Sequence, residues 1–180
     1  MPAAANSVFE IAFWFSDRAL NNSEYLQPLK LQYLLYLSQS YFAAAHNGRK
    51  LVPAIFVAEE LGPIEPSVHR AWTQGRPNFG ESELLNRDVK VFVDSIWRRF
   101  GHHSAEYLSK ICRRTAAYQV AYKNGVRAEI ILREMIDGIK LEPALPDVEQ
   151  LVKPKLVRSS HTGRAVEVTA WAPPVLDRKK

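Results

Sequence analysis

Between Pro28 and Gly48 the chain reads LKLQYLLYLSQSYFAAAHN, a stretch whose one formal charge is Lys30. Proline is tolerated in the first turn of a helix and glycine supplies a left-handed stop, so the two residues bracket one helix of about five turns. Its stripe through Leu31, Leu34, Leu35, Ser38, Tyr41, Phe42 and Ala45 recurs at helical spacing and faces a core. The rest of the chain must supply that core, and its pattern is mostly helical. Ser7 caps a first helix carrying Val8, Phe9, Ile11, Ala12, Phe15, Ala19 and Leu20, which Asn21-Asn22-Ser23 ends.

After the long helix, LVPAIFVAEE is rich in branched residues and bounded by Pro53 and Gly62, which predicts an extended segment or brief strand. GPIEP is a rigid turn, followed from Pro66 by a short helix with Val68, Ala71 and Trp72. TQGRPNFGES is a polar loop. ELLNRDVKVFVDSIWRRFG then reads as a helix stopped at Gly101, and Ser104 caps the next, with Glu106 in its first turn. That helix carries Tyr107, Leu108, Ile111 and Cys112 and continues or restarts through AAYQVAYKNG. A last helix, RAEIILREMIDGIK, is expected to bury Ile130, Ile131, Met135, Ile136 and Ile139. Five of the eleven prolines fall between Pro143 and Pro174, so the chain leaves the helical body there. KLVRS and RAVEVTAW flank SHTG, a pattern for a C-terminal β-hairpin or an augmenting strand. The expected architecture is mainly α: a single-domain helical bundle over 1–140 and a proline-rich basic extension over 141–180.

Charge divides the same way. Over residues 1–152, Lys plus Arg and Asp plus Glu number 17 each, so the whole excess of +5 lies in the last 28 residues. A basic tail suits a phosphate backbone, an acidic protein partner or simple solvation. The single cysteine, Cys112, cannot form an internal disulfide, which fits a reducing compartment. No secretory leader pattern opens the chain and no uncharged run approaches the roughly 18 residues of a membrane span, so a cytoplasmic protein is expected.

Nothing in the sequence assembles a catalytic motif. Glu59 and Glu60 form an acidic pair without partner groups nearby, better read as one paired and one solvated carboxylate. His102-His103 lacks the i, i+4 spacing of a helical metal pair. Cys112 lies at core spacing from Leu108 and Ile111. Phosphate-cradling, dinucleotide, nucleophile-elbow and zinc-protease motifs are missing. Two arginine pairs, Arg98-Arg99 and Arg113-Arg114, lie near Trp97, Phe100 and Tyr118; they either converge on a cationic, aromatic surface or are the solvated faces of two amphipathic helices.

KLQYLLYLSQSYFAAAHNGRKL followed by AEELGPIEPSVHRAW resembles the Panacea domain family. The residues that carry the resemblance are Lys30, Leu31, Gln32, Leu34, Leu35, Tyr36, Gln39, Gly48, Glu59 or Glu60, Gly62, Pro63 and Pro66, with Leu108 and Ser109 in a second segment. Cys112 and Arg113 stand where that family usually has Thr and His, Tyr118 where Trp is common, and Glu60-Leu61 where an aromatic precedes Gly-Pro. The resemblance spans about residues 8–137.

What the resemblance implies is an antitoxin without cofactor, metal or enzymatic activity, which binds a cognate protein toxin. Some members neutralise by direct binding, others act as adaptors that deliver the toxin to ClpX of the ClpXP protease. The expected contact residues are Tyr33, Tyr36, Arg113 and Arg114 on the body, and Lys153, Lys155, Arg158, Arg164 and Trp171 on the extension. A nucleic-acid-binding regulator that uses the basic tail is the alternative, and a hydrolase using Glu59, Glu60 or the two histidines a third.

Overall fold

The computed structural model describes residues 2–77 and 85–152, together with two short strands in the extension. The order is α1 (Val8–Asn21), α2 (Pro28–Ala45), β1 (Phe56–Glu59), β2 (Gly62–Ile64), α3 (Pro66–Ala71), α4 (Arg87–Phe100), α5 (Ala105–Arg114), α6 (Ala116–Asn124), β3 (Glu129–Ile130), α7 (Leu132–Leu141), α8 (Val148–Val152), β4 (Leu156–Arg158) and β5 (Ala165–Glu167). The fold is mainly helical, with β1 central in a small antiparallel sheet ordered β2-β1-β3.

Helix α2 is the axis of the body. It packs against α1, α3, α4, α5, α7 and α8 and against β2, so it is buried on every side rather than along one stripe. Leu31, Leu34, Leu35 and Leu37 are each at most 1% exposed, worth about 2 kcal/mol apiece in transfer free energy. The polar residues of α2 remain compatible with burial because each finds a partner. Ser38 and Ser40 donate to the carbonyls of Leu34 and Tyr36, both at 2.7 Å. Gln39 accepts from the amides of Leu51 and Val52 at 3.1 and 3.0 Å and donates to the Val52 carbonyl at 3.3 Å.

The helix ends as the sequence requires, with one shift. Pro28 occupies the first turn. At the other end Asn47, at φ 51°, takes the left-handed position, and Gly48, at φ 83°, donates its amide to the Ala43 carbonyl. Gly101 stops α4, as expected. Its backbone is right-handed, and glycine is needed because a Cβ would lie 2.6 Å from the Trp97 carbonyl and 2.7 Å from its ring.

Three expectations about the C-terminal half are corrected. Ile130 is buried, but in strand β3 paired with Phe56; Ile131, 54% exposed, caps α7 instead of joining the core. The helical body does not end at residue 140. Leu145 and Leu151 belong to the core, α8 packs on α2 and α4, and the Tyr41 hydroxyl donates to the Pro146 carbonyl at 2.8 Å. The bundle also includes a third strand, β3, which the sequence pattern had merged with the last helix. The hairpin of the extension is present as an antiparallel pair, with Val157 opposite Val166 and Arg158 opposite Ala165. Among the described residues no helix is long and apolar enough to cross a membrane.

Candidate functional site

Helices α5 and α6 are short, and Thr115 joins them. Its hydroxyl caps α6 by accepting from the Tyr118 amide at 3.4 Å, and it donates to the Cys112 carbonyl at 2.7 Å. Ser104 caps α5 through the Tyr107 amide at 3.2 Å. The restart sets two amphipathic helices side by side. On α5, Glu106, Ser109, Lys110 and Arg113 recur at i, i+3, i+4 and i+7, and on α6 Tyr118 and Tyr122 are four apart, so each set shares one helix face.

The two faces line an open groove of about 620 Å³, which Arg114, Gln119 and Lys123 complete. The Tyr118 and Tyr122 rings stack at 5.5 Å with planes 12° apart. Tyr122 is 37% exposed, while Tyr118 is buried and its hydroxyl donates to the Glu59 carbonyl at 2.5 Å. Burial pushes the Tyr118 hydroxyl up from its ordinary range and the Arg113 guanidinium beside it opposes this. Arg114 is bound to Glu142 at 3.3 Å. No ion pair engages Lys110, Arg113 or Lys123 among the described residues. The Glu106 carboxyl is held below its usual range by its own backbone amide and the Ser104 hydroxyl, so it stays ionised at the groove's rim.

The turn between β1 and β2 is held against α5 and α6. The Leu61 carbonyl accepts from the Tyr33 hydroxyl at 2.6 Å and from the Ser109 hydroxyl at 2.5 Å. Gly62, at φ 135°, lies so close to Tyr33 that a Cβ would meet ring carbon Cε1 at 2.7 Å. Arg127 pairs with Glu59 at 3.2 Å, whereas Glu60 is exposed.

Tyr33 and Tyr36, expected to touch a partner, are 1% and 0% exposed and present no surface. Tyr36 is held inside by a contact with the Thr115 hydroxyl at 3.2 Å, and burial raises its pKa. Their role is to position the groove: Tyr33 fixes the turn held against its helices and Tyr36 meets the residue that joins them. Arg113 and Arg114 are exposed and line it. The two arginine pairs do not converge. Arg98 binds Asp94 at 2.6 Å, and Arg99 lines a separate cleft of about 480 Å³ with Lys140, Glu142 and Asp147. Lys153, Lys155, Arg164 and Trp171 lie outside the described residues, and Arg158 is placed only by the backbone of β4.

The remaining signature positions build the frame. Lys30 donates to the Gly101 carbonyl at 2.5 Å above the Trp97 ring, and Gln32 accepts from the Glu65 amide at 2.8 Å. Leu108 is fully buried, Pro63 sits on edge strand β2, and Pro66 opens α3. Sequence reasoning missed Glu106, Lys110, Gln119, Tyr122 and Lys123; the helical spacing of the α5 set was the signal that could have found it.

The groups considered for catalysis are otherwise engaged. Cys112 is fully buried, and burial pushes its thiol up, away from the reactive thiolate. His103 stacks on Tyr107 at 4.3 Å, and His102 lies 4.0 Å from it, ring to ring. Among the described residues no cluster of three metal-ligating side chains occurs. No protein-family model, curated protein or solved structure matches the chain.

Proposed function

We propose that the chain is a protein-binding antitoxin of the Panacea type, which captures a protein toxin in the cytoplasm and delivers it, as an adaptor, to ClpX of the ClpXP protease. The observation that carries the reading is the α5–α6 groove: exposed cations and tyrosine rings on a frame braced by side-chain hydrogen bonds to the β1–β2 turn. Arginine and tyrosine are the residue types that anchor protein interfaces, and a rigid frame lowers the entropy lost on docking. The resemblance supplies the class of partner. Tethering supplies the mechanism, because a chain that holds toxin and unfoldase together raises the effective concentration of a weak degradation signal. The basic extension is the second contact of this adaptor.

The test is affinity capture of the tagged full chain from its host with ClpP inactivated as a trap, followed by reconstitution. A small protein that co-purifies with ClpX, and that purified ClpXP degrades only when the chain is added, is the expected result. A toxin inhibited but not degraded would replace delivery with direct neutralisation. Recovery of nucleic acid and no protein would overturn the antitoxin reading.

A further inference from the structure

We infer that the α5–α6 groove docks a short acidic segment of a partner polypeptide that carries one large apolar side chain. The inference rests on the protein-binding reading above and names what the partner must present. Its first support is charge. Lys110, Arg113, Arg114 and Lys123 face Glu106 alone across the groove, and of the four cations only Arg114 is neutralised within the described residues. A cation without a local partner gains most from a carboxylate that excludes water from it.

The second support is the apolar surface beside those cations. The stacked Tyr118 and Tyr122 rings line the groove, and Tyr122 is 37% exposed. A large apolar side chain laid on the Tyr122 ring would cover it, while flanking carboxylates reach the cations. Helix α5 spans about 15 Å, so an extended segment crosses it in about four or five residues. Alternation then directs two or three side chains inward.

The third support separates a peptide from a nucleic acid. Glu106 stands at one rim, and Glu60 is exposed in the turn that Tyr118 and Ser109 hold, beside Glu59, which Arg127 pairs. A continuous phosphate backbone would be repelled along these edges, whereas a peptide can place its carboxylates opposite the cations alone.

The experiment uses the full chain and an array of fluorescein-labelled twelve-residue peptides, each with four Asp or Glu around one Leu, Phe or Trp. Matched peptides carry Lys for the acids or Ser for the apolar residue, and a single-stranded oligonucleotide is titrated alongside. Acidic peptides with the apolar residue should bind at least tenfold more tightly than either match, and more weakly as salt rises. The variant Lys110→Glu, Arg113→Glu, Lys123→Glu alters exposed positions only. It should keep the helical circular dichroism of the parent, lose the acidic peptides at least tenfold and gain the basic ones. Tyr122→Ser should remove the preference for an apolar residue while leaving that for acids.

Equal binding of acidic and basic peptides overturns the inference, as does tighter binding of the oligonucleotide. So does acidic binding that survives the triple reversal but is lost when Lys153, Lys155, Arg158 and Arg164 are reversed, which would assign it to the extension. The captured partner distinguishes the two levels. A toxin held equally by parent and triple variant would defeat the groove and leave the antitoxin reading standing. Selective peptide binding with no toxin captured would do the reverse.

Discussion

Replacing Gln39 by Met should cost about 4 kcal/mol of stability, and the figure follows from three hydrogen bonds. Gln39 is 1% exposed, and its side-chain oxygen is the acceptor for the amides of Leu51 and Val52, each also 1% exposed. Methionine has nearly the same volume, so the packing change is under about 1.5 kcal/mol. What it removes is the acceptor. Each buried amide left without a partner costs about 1–3 kcal/mol, giving about 2–6 for the two. The bond donated to the Val52 carbonyl adds little, because that oxygen also accepts from the Ala54 amide at 2.9 Å.

Against a total of about 5–15 kcal/mol for a domain, such a loss is severe. With a urea m-value of about 2 kcal/mol/M the midpoint should fall by about 2 M. Hydrogen exchange localises the effect: the amides of Leu51 and Val52 should exchange by local opening in the variant. The N-terminal segment should loosen with them, since the amides of Ala4 and Ala5 donate to the Leu51 carbonyl at 3.1 and 2.8 Å. Ser40→Ala is the control. Its hydroxyl donates to the carbonyl of Tyr36 in its own helix and lies beside the Tyr36 side chain, and its loss leaves no buried amide without an acceptor, so that change should stay within about 1 kcal/mol. A Gln39→Met protein within about 1 kcal/mol of the parent, or a Ser40→Ala protein equally weakened, would refute the reasoning.

Gly62→Ala should lower the thermal midpoint by several degrees, because the new methyl meets the Tyr33 ring at 2.7 Å in a backbone at φ 135°, at about 2–5 kcal/mol. Tyr33→Phe, which keeps the ring and loses one hydrogen bond, should cost about 1 kcal/mol by the same melt. Cys112 should resist thiol reagents in the native protein and react at the rate of global unfolding, measured by labelling across a urea series; fast labelling in water would contradict its burial. His103 should titrate below the ordinary imidazole range, as burial, then His102, Arg99 and Lys30, disfavour its charged form. Its folded pKa lies below the unfolded one, so its contribution is complete above the unfolded value and is lost as pH falls from there through the folded value. Proton NMR of the ring measures the midpoint, and His102→Ala should raise it.

The sequence made α2 legible because proline, glycine and an apolar run coincide, yet not the extent of its burial. Gln32, Gln39 and Ser40 look like a solvent face in a helical projection. They sit in the interior because backbone groups of the link, of the segment before α3 and of α2 itself take up their hydrogen bonds, the Gln32 side-chain nitrogen excepted, and those partners are 4 to 33 residues away. Tyr33 and Tyr36 misled for the same reason: a tyrosine reads as an interface residue until its hydroxyl is found engaged inside the fold, that of Tyr33 on the Leu61 carbonyl and that of Tyr36 against the Thr115 hydroxyl. Strand β3 escaped because two residues are too few for a period, and only pairing with Phe56 and Val57 defines it. The arginine pairs show the limit of proximity in sequence. Arg98 and Arg113 end with different neighbours: Arg98 pairs with Asp94 within α4, and Arg113 lines the α5–α6 groove.

Residues of the signature and residues of the groove therefore answer different questions. Lys30, Gln32, Gln39, Gly62 and Ser109 spend their polar or steric character on backbone contacts that join α2 to the link, the β1–β2 turn and the start of α5. A chain that keeps them keeps the frame, whatever it binds. Lys110, Arg113, Tyr122 and Lys123 project from that frame, and only Arg113 and Tyr122, both against Tyr118, have a structural contact among the described residues that bears on their identity. Exchanging them should redirect binding at little cost in stability, whereas exchanging a frame residue should destroy binding by unfolding its support. A Lys110→Glu protein that unfolds, or a Gln39→Met protein that retains full stability while losing its partner, would break that division of labour.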